Sequence, residues 1–296
     1  MTTLELTQAL QSRRVVILDG AWGTELARRG LPAGECPERW NLTQAVSVAE
    51  IPRAYAASGA QIVLTNTFGG SRIKLAKSDL ADKTREVNLA GARISKSAVG
   101  DRALVFASVG PTGEFLAPLG EITAEAMEAV FREQIEALVA GGADGVVIET
   151  MTDLEEALCA LRAAKGINAA LPVAVSLTFD KGARGYATMM GVTPEQAATT
   201  LTAAGADIIG SNCGNGLANM IEIVRELRAH TAKPLWAKAN AGLPELLNGN
   251  TVFREIPAAM AQLAPDLVSA GASLIGGCCG TTPEHIKAIA AACARR

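Results

Sequence analysis

Four stretches of the chain share one form: Ser-Gly-Ala-Gln-Ile-Val-Leu-Thr (58–65), Gly-Gly-Ala-Asp-Gly-Val-Val-Ile-Glu (141–149), Ala-Gly-Ala-Asp-Ile-Ile-Gly-Ser (204–211) and Ala-Gly-Ala-Ser-Leu-Ile-Gly-Gly (270–277). Each reads as a helix end capped by glycine, a short link and a buried strand. Further β-rich runs, Val15–Asp19, Ala103–Val109, Pro172–Leu177 and Pro234–Ala239, alternate with them and bring the strand count to eight. Helical stretches fill most of the gaps. Thr123–Val139 carries Met127, Val130, Phe131, Ile135 and Leu138 at helical spacing, and Asp153–Ala164 opens on an N-cap candidate with acids in its first turn. Thr282-Pro283-Glu284 sets a cap, a proline and an early acid before the last helix. Alternation of this kind, with near-continuous apolar strands, predicts a parallel sheet in an α/β fold: a single (β/α)8 TIM barrel spanning residues 1–296. A doubly wound open sheet is the competitor, but its edge strands would read as more polar. No linker, low-complexity segment or charge run marks a second domain.

Composition narrows the function. The chain is 49% hydrophobic and 19% charged, so most of it is core, and a net charge of -3 leaves no basic face for nucleic acid or anionic membrane. The first residues, MTTLELTQALQSRRVV, hold no apolar core of signal-peptide length, and no run is long enough to span a bilayer. A cytoplasmic location with reduced thiols is the expectation. Six cysteines then read as metal ligands or buried small hydrophobes before disulfides, and two histidines leave little material for a histidine triad or a multi-histidine metal site.

Barrels of this class collect their chemistry at the C-terminal strand ends. Asp19 ends the first strand, Thr67 follows the second, Glu149 ends the fourth, and Asn240 follows the seventh. Cys213 follows the sixth in Ser-Asn-Cys-Gly-Asn-Gly (211–216), and Cys278 and Cys279 follow the eighth in Gly-Gly-Cys-Cys-Gly (276–280). Three thiols in two glycine-rich turns read as a metal site with one coordination position open, which is how zinc is held when it does chemistry. Neighbouring cysteines can serve one metal only if the backbone turns sharply; Gly276, Gly277 and Gly280, with Gly214 and Gly216 around Cys213, are expected to provide that freedom. Any one of these cysteines alone would read as an ordinary buried thiol. The loop Gly276–Thr282 ahead of a helix would also suit a phosphate cradle, as in a barrel lyase or isomerase, although such a cradle gains nothing from paired cysteines. Cys36, Cys159 and Cys293 read as structural, and His230 and His285 as capping or surface residues.

Taken together, Leu-Asp-Gly-Ala-Trp-Gly-Thr-Glu-Leu (18–26), Thr-Asn-Thr-Phe (65–68), Ile-Glu-Thr (148–150), Ser-Asn-Cys-Gly (211–214), Asn-Ala-Gly-Leu-Pro (240–244) and Gly-Gly-Cys-Cys-Gly-Thr-Thr-Pro-Glu-His-Ile (276–286) resemble the homocysteine S-methyltransferase family across essentially the whole chain. The nearer likeness is to the homocysteine-binding module of cobalamin-dependent methionine synthases, the more distant to betaine–homocysteine methyltransferases. The resemblance implies zinc on Cys213, Cys278 and Cys279, homocysteine as methyl acceptor, and Asp19, Gly20, Thr67 and Glu149 around its amino acid end. On that view the acids suit the ammonium, and Thr67 or backbone N–H groups suit the carboxylate.

The chemistry agrees, because a free thiol has a pKa of about 8.5 and zinc would deprotonate it without a protein base. The multidomain enzymes carry folate and cobalamin modules, so the expected donor is a methylated corrinoid brought by a separate protein. Betaine or S-methylmethionine are the alternatives. A betaine enzyme would need an aromatic enclosure, for which Trp22, Trp40, Phe68, Phe115 and Tyr186 are the available rings. Thr150 stands where the betaine enzymes have tyrosine, and Asn-Ala-Gly-Leu-Pro sides with the cobalamin type. A non-enzymatic reading, binding of homocysteine or a corrinoid without turnover, would keep the same ligands.

Overall fold

A computed structural model describes residues 3–12, 14–247 and 250–294, and in it the four repeated stretches perform one job. Their second residues, Gly59, Gly142, Gly205 and Gly271, sit at φ of +98°, +94°, +87° and +113°, a region that suits glycine. The alanine after each reaches back to a helical carbonyl: Ala60 to Tyr55, Ala143 to Leu138, Ala206 to Leu201 and Ala272 to Leu267, at 3.0–3.3 Å. Each repeat is therefore a helix stop of the Schellman type. The fourth residue then clasps the preceding strand. Gln61, Asp144, Asp207 and Ser273 donate their backbone N–H to the carbonyls of Ile17, Val105, Val173 and Leu235. Their side-chain oxygens accept the N–H of those same four residues, at 3.1, 2.8, 2.8 and 3.4 Å.

The strands so joined are β1 (Val16–Ile17), β2 (Ile62–Val63), β3 (Leu104–Val109), β4 (Gly145–Met151), β5 (Val173–Leu177), β6 (Ile208–Asn212), β7 (Leu235–Ala239) and β8 (Leu274–Gly277). All pair in parallel in the order β1-β8-β7-β6-β5-β4-β3-β2. A bridge between Leu18 and Ile62, with the Gln61 N–H on the Ile17 carbonyl at 2.7 Å, closes the sheet on itself. The fold is a (β/α)8 barrel, and the open-sheet competitor is excluded. Two hairpins, Asp180–Gly182 with Gly185–Ala187 and Glu245–Leu247 with Asn250–Val252, are additions the apolar pattern did not announce.

Successive residues of a strand face opposite sides, and the core divides accordingly. One set packs against the surrounding helices. The other, including Val16, Leu18, Ile62, Leu64, Leu104, Phe106, Val147, Ala174, Ile208, Trp236 and Leu274, fills the barrel together with Leu6 and Ala9 of the helix Thr3–Gln11. Phe106 and Trp236 stack across it with centroids 6.1 Å apart. Glycine makes room for them: a Cβ at Gly145 would lie 2.6 Å from the Phe106 ring, and one at Gly210 would lie 2.0 Å from the Trp236 carbonyl oxygen.

Followed two residues at a time toward the C-terminal end, the same inward series changes character. Phe106 gives way to Ser108, Val147 to Glu149, Ala174 to Ser176, Trp236 to Lys238, and Ile208 through Gly210 to Asn212. All five polar residues are buried, and on this layer the site is built.

Candidate metal centre

Cys213 leaves β6 at φ +63° with Gly214 at +67°, an uncommon left-handed pair in which the cysteine itself takes the strained conformation. Both cysteine turns hang on the end of β7, since Cys213 N–H donates to the Lys238 carbonyl (3.1 Å) and Cys278 N–H to that of Ala239 (2.7 Å). The three Sγ atoms of Cys213, Cys278 and Cys279 lie within 4.8 Å of one another, with Cys213 and Cys279 at 3.8 Å, and none is in a disulfide. A tetrahedral ion with Zn–S bonds of about 2.3 Å needs sulfurs about 3.8 Å apart. Asn240 adds to the fit: its side chain hydrogen-bonds Cys213, while its buried Oδ1 has no partner. The donor set suits a soft divalent ion with a further position open to the cavity.

Two expectations about the glycines are corrected. Gly280, at φ +79°, and Gly214 do supply left-handed turns, but Gly276 and Gly277 lie within β8, and Gly216 begins a helix from extended backbone. Gly276 and Gly277 are there for space, because a Cβ would fall 2.6 Å from the Asp19 carbonyl oxygen or 2.3 Å from Thr281 Oγ1. Without metal the sulfurs share protons. Hydrogen bonds from Cys278 and Cys279 pull Cys213 down to about 3, and the same sharing pushes Cys278 up to about 11 and Cys279 well above its usual range.

The cluster forms part of the wall of a cavity of about 590 Å³, which Gly20, Thr67 and Glu149 also line. Gly20 is held small by Tyr55 and Thr281, each 2.8 Å from a Cβ placed there. The Thr67 hydroxyl donates to the Ser108 carbonyl (2.8 Å) and meets the Thr65 hydroxyl at 2.5 Å. Glu149 takes the Ser108 hydroxyl at 2.5 Å; burial raises its pKa to about 7, against the opposing pull of Lys238 and Ser108. Asp19 departs from expectation. It is fully buried and absent from the cavity wall, with Oδ1 on Lys238 Nζ (2.5 Å) and Oδ2 taking Trp22 Nε1 (2.8 Å) and Leu64 N–H (2.7 Å). Its charge is answered within the protein.

Lys238, which does line the cavity, is the residue the sequence reading missed. Its signal was present as a lone charge inside the apolar run Leu-Trp-Ala-Lys-Ala (235–239). Burial alone would lower its pKa, but Asp19 and Glu149 outweigh that and hold it above the ordinary lysine value. Asn212 was missed too: it grips Thr150, which stands at φ +62°, through the Thr150 N–H (2.9 Å) and hydroxyl (2.8 Å), and its Nδ2 is 3.9 Å from Cys278 Sγ.

The phosphate-cradle alternative loses its donors. The N–H groups of Gly277, Cys278, Gly280, Thr281 and Thr282 are taken by Asp19, Ala239, Thr24, Cys278 and His285. His285 thus caps the last helix, with Nε2 2.9 Å from the Glu255 carbonyl oxygen, and His230 sits at a helix end 3.8 Å from Glu195. Of the candidate aromatic enclosure only Trp22 and Phe68 reach the cavity; Trp40, Phe115 and Tyr186 do not. No helix among the described residues is long and apolar enough to cross a membrane.

Comparison with known proteins follows the same line. Residues 16–293 match the family model described as homocysteine S-methyltransferase. The methionine synthase of Mycobacterium leprae is 34% identical over 96% of this chain, and that of Mycobacterium tuberculosis is 33% identical over 96%. The chain spans a quarter, 25%, of the length of each of these relatives. The crystal structure of the homocysteine methyltransferase MmuM from Escherichia coli, in its metallated form, superposes with a TM-score of 0.78 at 25% identity, covering 96% of this chain and 98% of that one.

Proposed function

The chain belongs to the homocysteine S-methyltransferase family, and we propose that it moves a methyl group onto the thiol of homocysteine to form methionine, with zinc held by Cys213, Cys278 and Cys279. The observation that carries this reading is the three-sulfur cluster set into the wall of a cavity that also presents a buried carboxylate. The metallated form of the E. coli relative supports a metal at such a site. Bound zinc would supply the Lewis acidity that keeps the acceptor thiol ionised near neutral pH.

The rest falls to the protein. Glu149, fixed by the Ser108 hydroxyl, receives the ammonium of the amino acid, and pairing with that cation draws its pKa down from about 7 toward the ionised form. Asp19 anchors Lys238 instead of touching substrate. Gly20 brings its backbone to the cavity wall where Tyr55 and Thr281 leave no room for a side chain. Gly214, Gly280 and the left-handed Cys213 aim the sulfurs at one point, so the nucleophile needs no protein base.

For the donor we favour a methylated corrinoid carried by a separate protein. Among the described residues only two aromatic rings line the cavity, and one of them, Trp22, is tied through its Nε1 to Asp19, which is a poor enclosure for a quaternary ammonium. Betaine and S-methylmethionine remain the alternatives to be tried. The test is methionine formation from homocysteine by zinc-loaded protein, with betaine, S-methylmethionine and methylcobalamin offered separately and a chelator control for each. Chelator-sensitive product identifies the donor. Protein that takes up no zinc sinks the reading.

A further inference from the structure

Lys238 is an unusual expense for a barrel interior. A fully buried ammonium is tolerated only when paired and hydrogen-bonded, and it carries three N–H donors. Among the described residues only Asp19 Oδ1 accepts from it, at 2.5 Å. The other Asp19 oxygen is taken by Trp22 and Leu64, so the carboxylate has little left to offer. The space remaining to the ammonium is the cavity, whose wall it shares with Glu149, Ser108 and the three cysteines. The cavity's other lysines, Lys74 and Lys77, are not buried, and Lys77 is paired with Glu114 at 3.3 Å.

An amino acid brings two opposite charges. Glu149 answers the ammonium, but Thr67, the side chain expected to meet the carboxylate, already donates its hydroxyl proton to the Ser108 carbonyl. We propose that Lys238, held by Asp19, is the carboxylate-binding residue of the acceptor site, so that Glu149 and Lys238 together select a zwitterionic thiol. The inference rests on the homocysteine reading above. It makes Asp19 a positioning residue whose effect on substrate passes through Lys238.

The experiment titrates the protein calorimetrically with L-methionine and with 3-(methylthio)propylamine, which lacks only the carboxylate, and needs no turnover. A charge-assisted hydrogen bond is worth about 1.5–3 kcal/mol, so removing the carboxylate should weaken wild-type binding on the order of 10–100-fold. In Lys238→Met the discrimination should collapse to about threefold or less, with 3-(methylthio)propylamine binding nearly as in wild type. Because Lys238→Met strands the Asp19 charge, the double variant Asp19→Asn, Lys238→Met is measured beside it; it removes both charges and should lose the same discrimination. A lysine that merely supports the fold would lower the melting temperature and leave the ratio of the two affinities unchanged. An unchanged ratio in either folded variant, or a wild type that binds both ligands equally, overturns the proposal. A wild type that binds neither L-methionine nor L-homocysteine overturns the acceptor reading itself.

Discussion

At the N-terminal end of the barrel one device is used four times: a left-handed glycine stops a helix, and two residues later a polar side chain clasps the preceding strand. At the C-terminal end no such repeating device is used. Glu149, Lys238, Asn212 and the three cysteines each appear once, and two of the non-glycine residues with φ above zero, Thr150 and Cys213, stand among them. The lower half is made of interchangeable, mutually supporting units, whereas the upper half places strained backbone and buried charge where a ligand can use them. Stability and chemistry should therefore respond to different substitutions.

The sharpest way to break that contrast is at the sulfurs. Cys278→Ala should reduce bound zinc from about one per chain to near none and abolish methyl transfer, with the fold retained. Metal analysis beside circular dichroism decides it, and loss of fold would show that the upper end is structural after all. Trp236→Ala, at the floor, should do the reverse: about 3–5 kcal/mol of stability lost in denaturant melts, with methionine formation per folded molecule kept.

Glu149 gives a pH test of the upper end. Its pKa is raised to about 7 from a usual value of 4.5, so the native state holds a proton that the unfolded chain releases first. Stability from this group is complete below about 4.5 and falls through to about 7, by up to roughly 3 kcal/mol. Glu149→Gln should flatten metal-free unfolding free energies across that window; an unchanged slope would place the pH dependence elsewhere. Smaller effects belong to the repeat. Asp207→Ala removes the acceptor of the buried Val173 N–H and the partner of Lys165, and should cost about 1–3 kcal/mol. Gly205→Ala has open space around its Cβ, so only the left-handed φ opposes it, at about 1–2 kcal/mol. A much larger loss there would mean that the helix stop does more than cap.

The repeat was legible because its device is local: glycine, alanine and a polar residue in sequence state a helix end and a strand start without reference to any other part of the chain. The cysteine cluster was legible because sulfur beside glycine at a strand end has few other uses. Lys238 escaped for a physical reason. Barrel strands are buried on both faces, so their composition does not mark which residues look inward. Only with Trp236 placed inside does the parity that puts Lys238 beside Glu149 become visible. The pairing of Asp19 with Lys238 was hidden by the same gap, since the two lie 219 residues apart. Gly276 and Gly277 were credited with flexibility when they serve close approach, a distinction that needs the neighbours Asp19 and Thr281.

The clasps join β2 to β1, β4 to β3, β6 to β5 and β8 to β7, while β5 and β7 are each entered through a proline, Pro172 and Pro234, that has no N–H to give. The closed ring is thus laced unevenly: at β1–β2 the clasp stands beside a single bridge, Leu18 to Ile62, whereas β3–β4, β5–β6 and β7–β8 each add four paired residues to theirs. Spontaneous opening should begin at β1–β2, and amide hydrogen exchange should show the Ile17 and Gln61 N–H groups exchanging ahead of those of Val105 and Asp144.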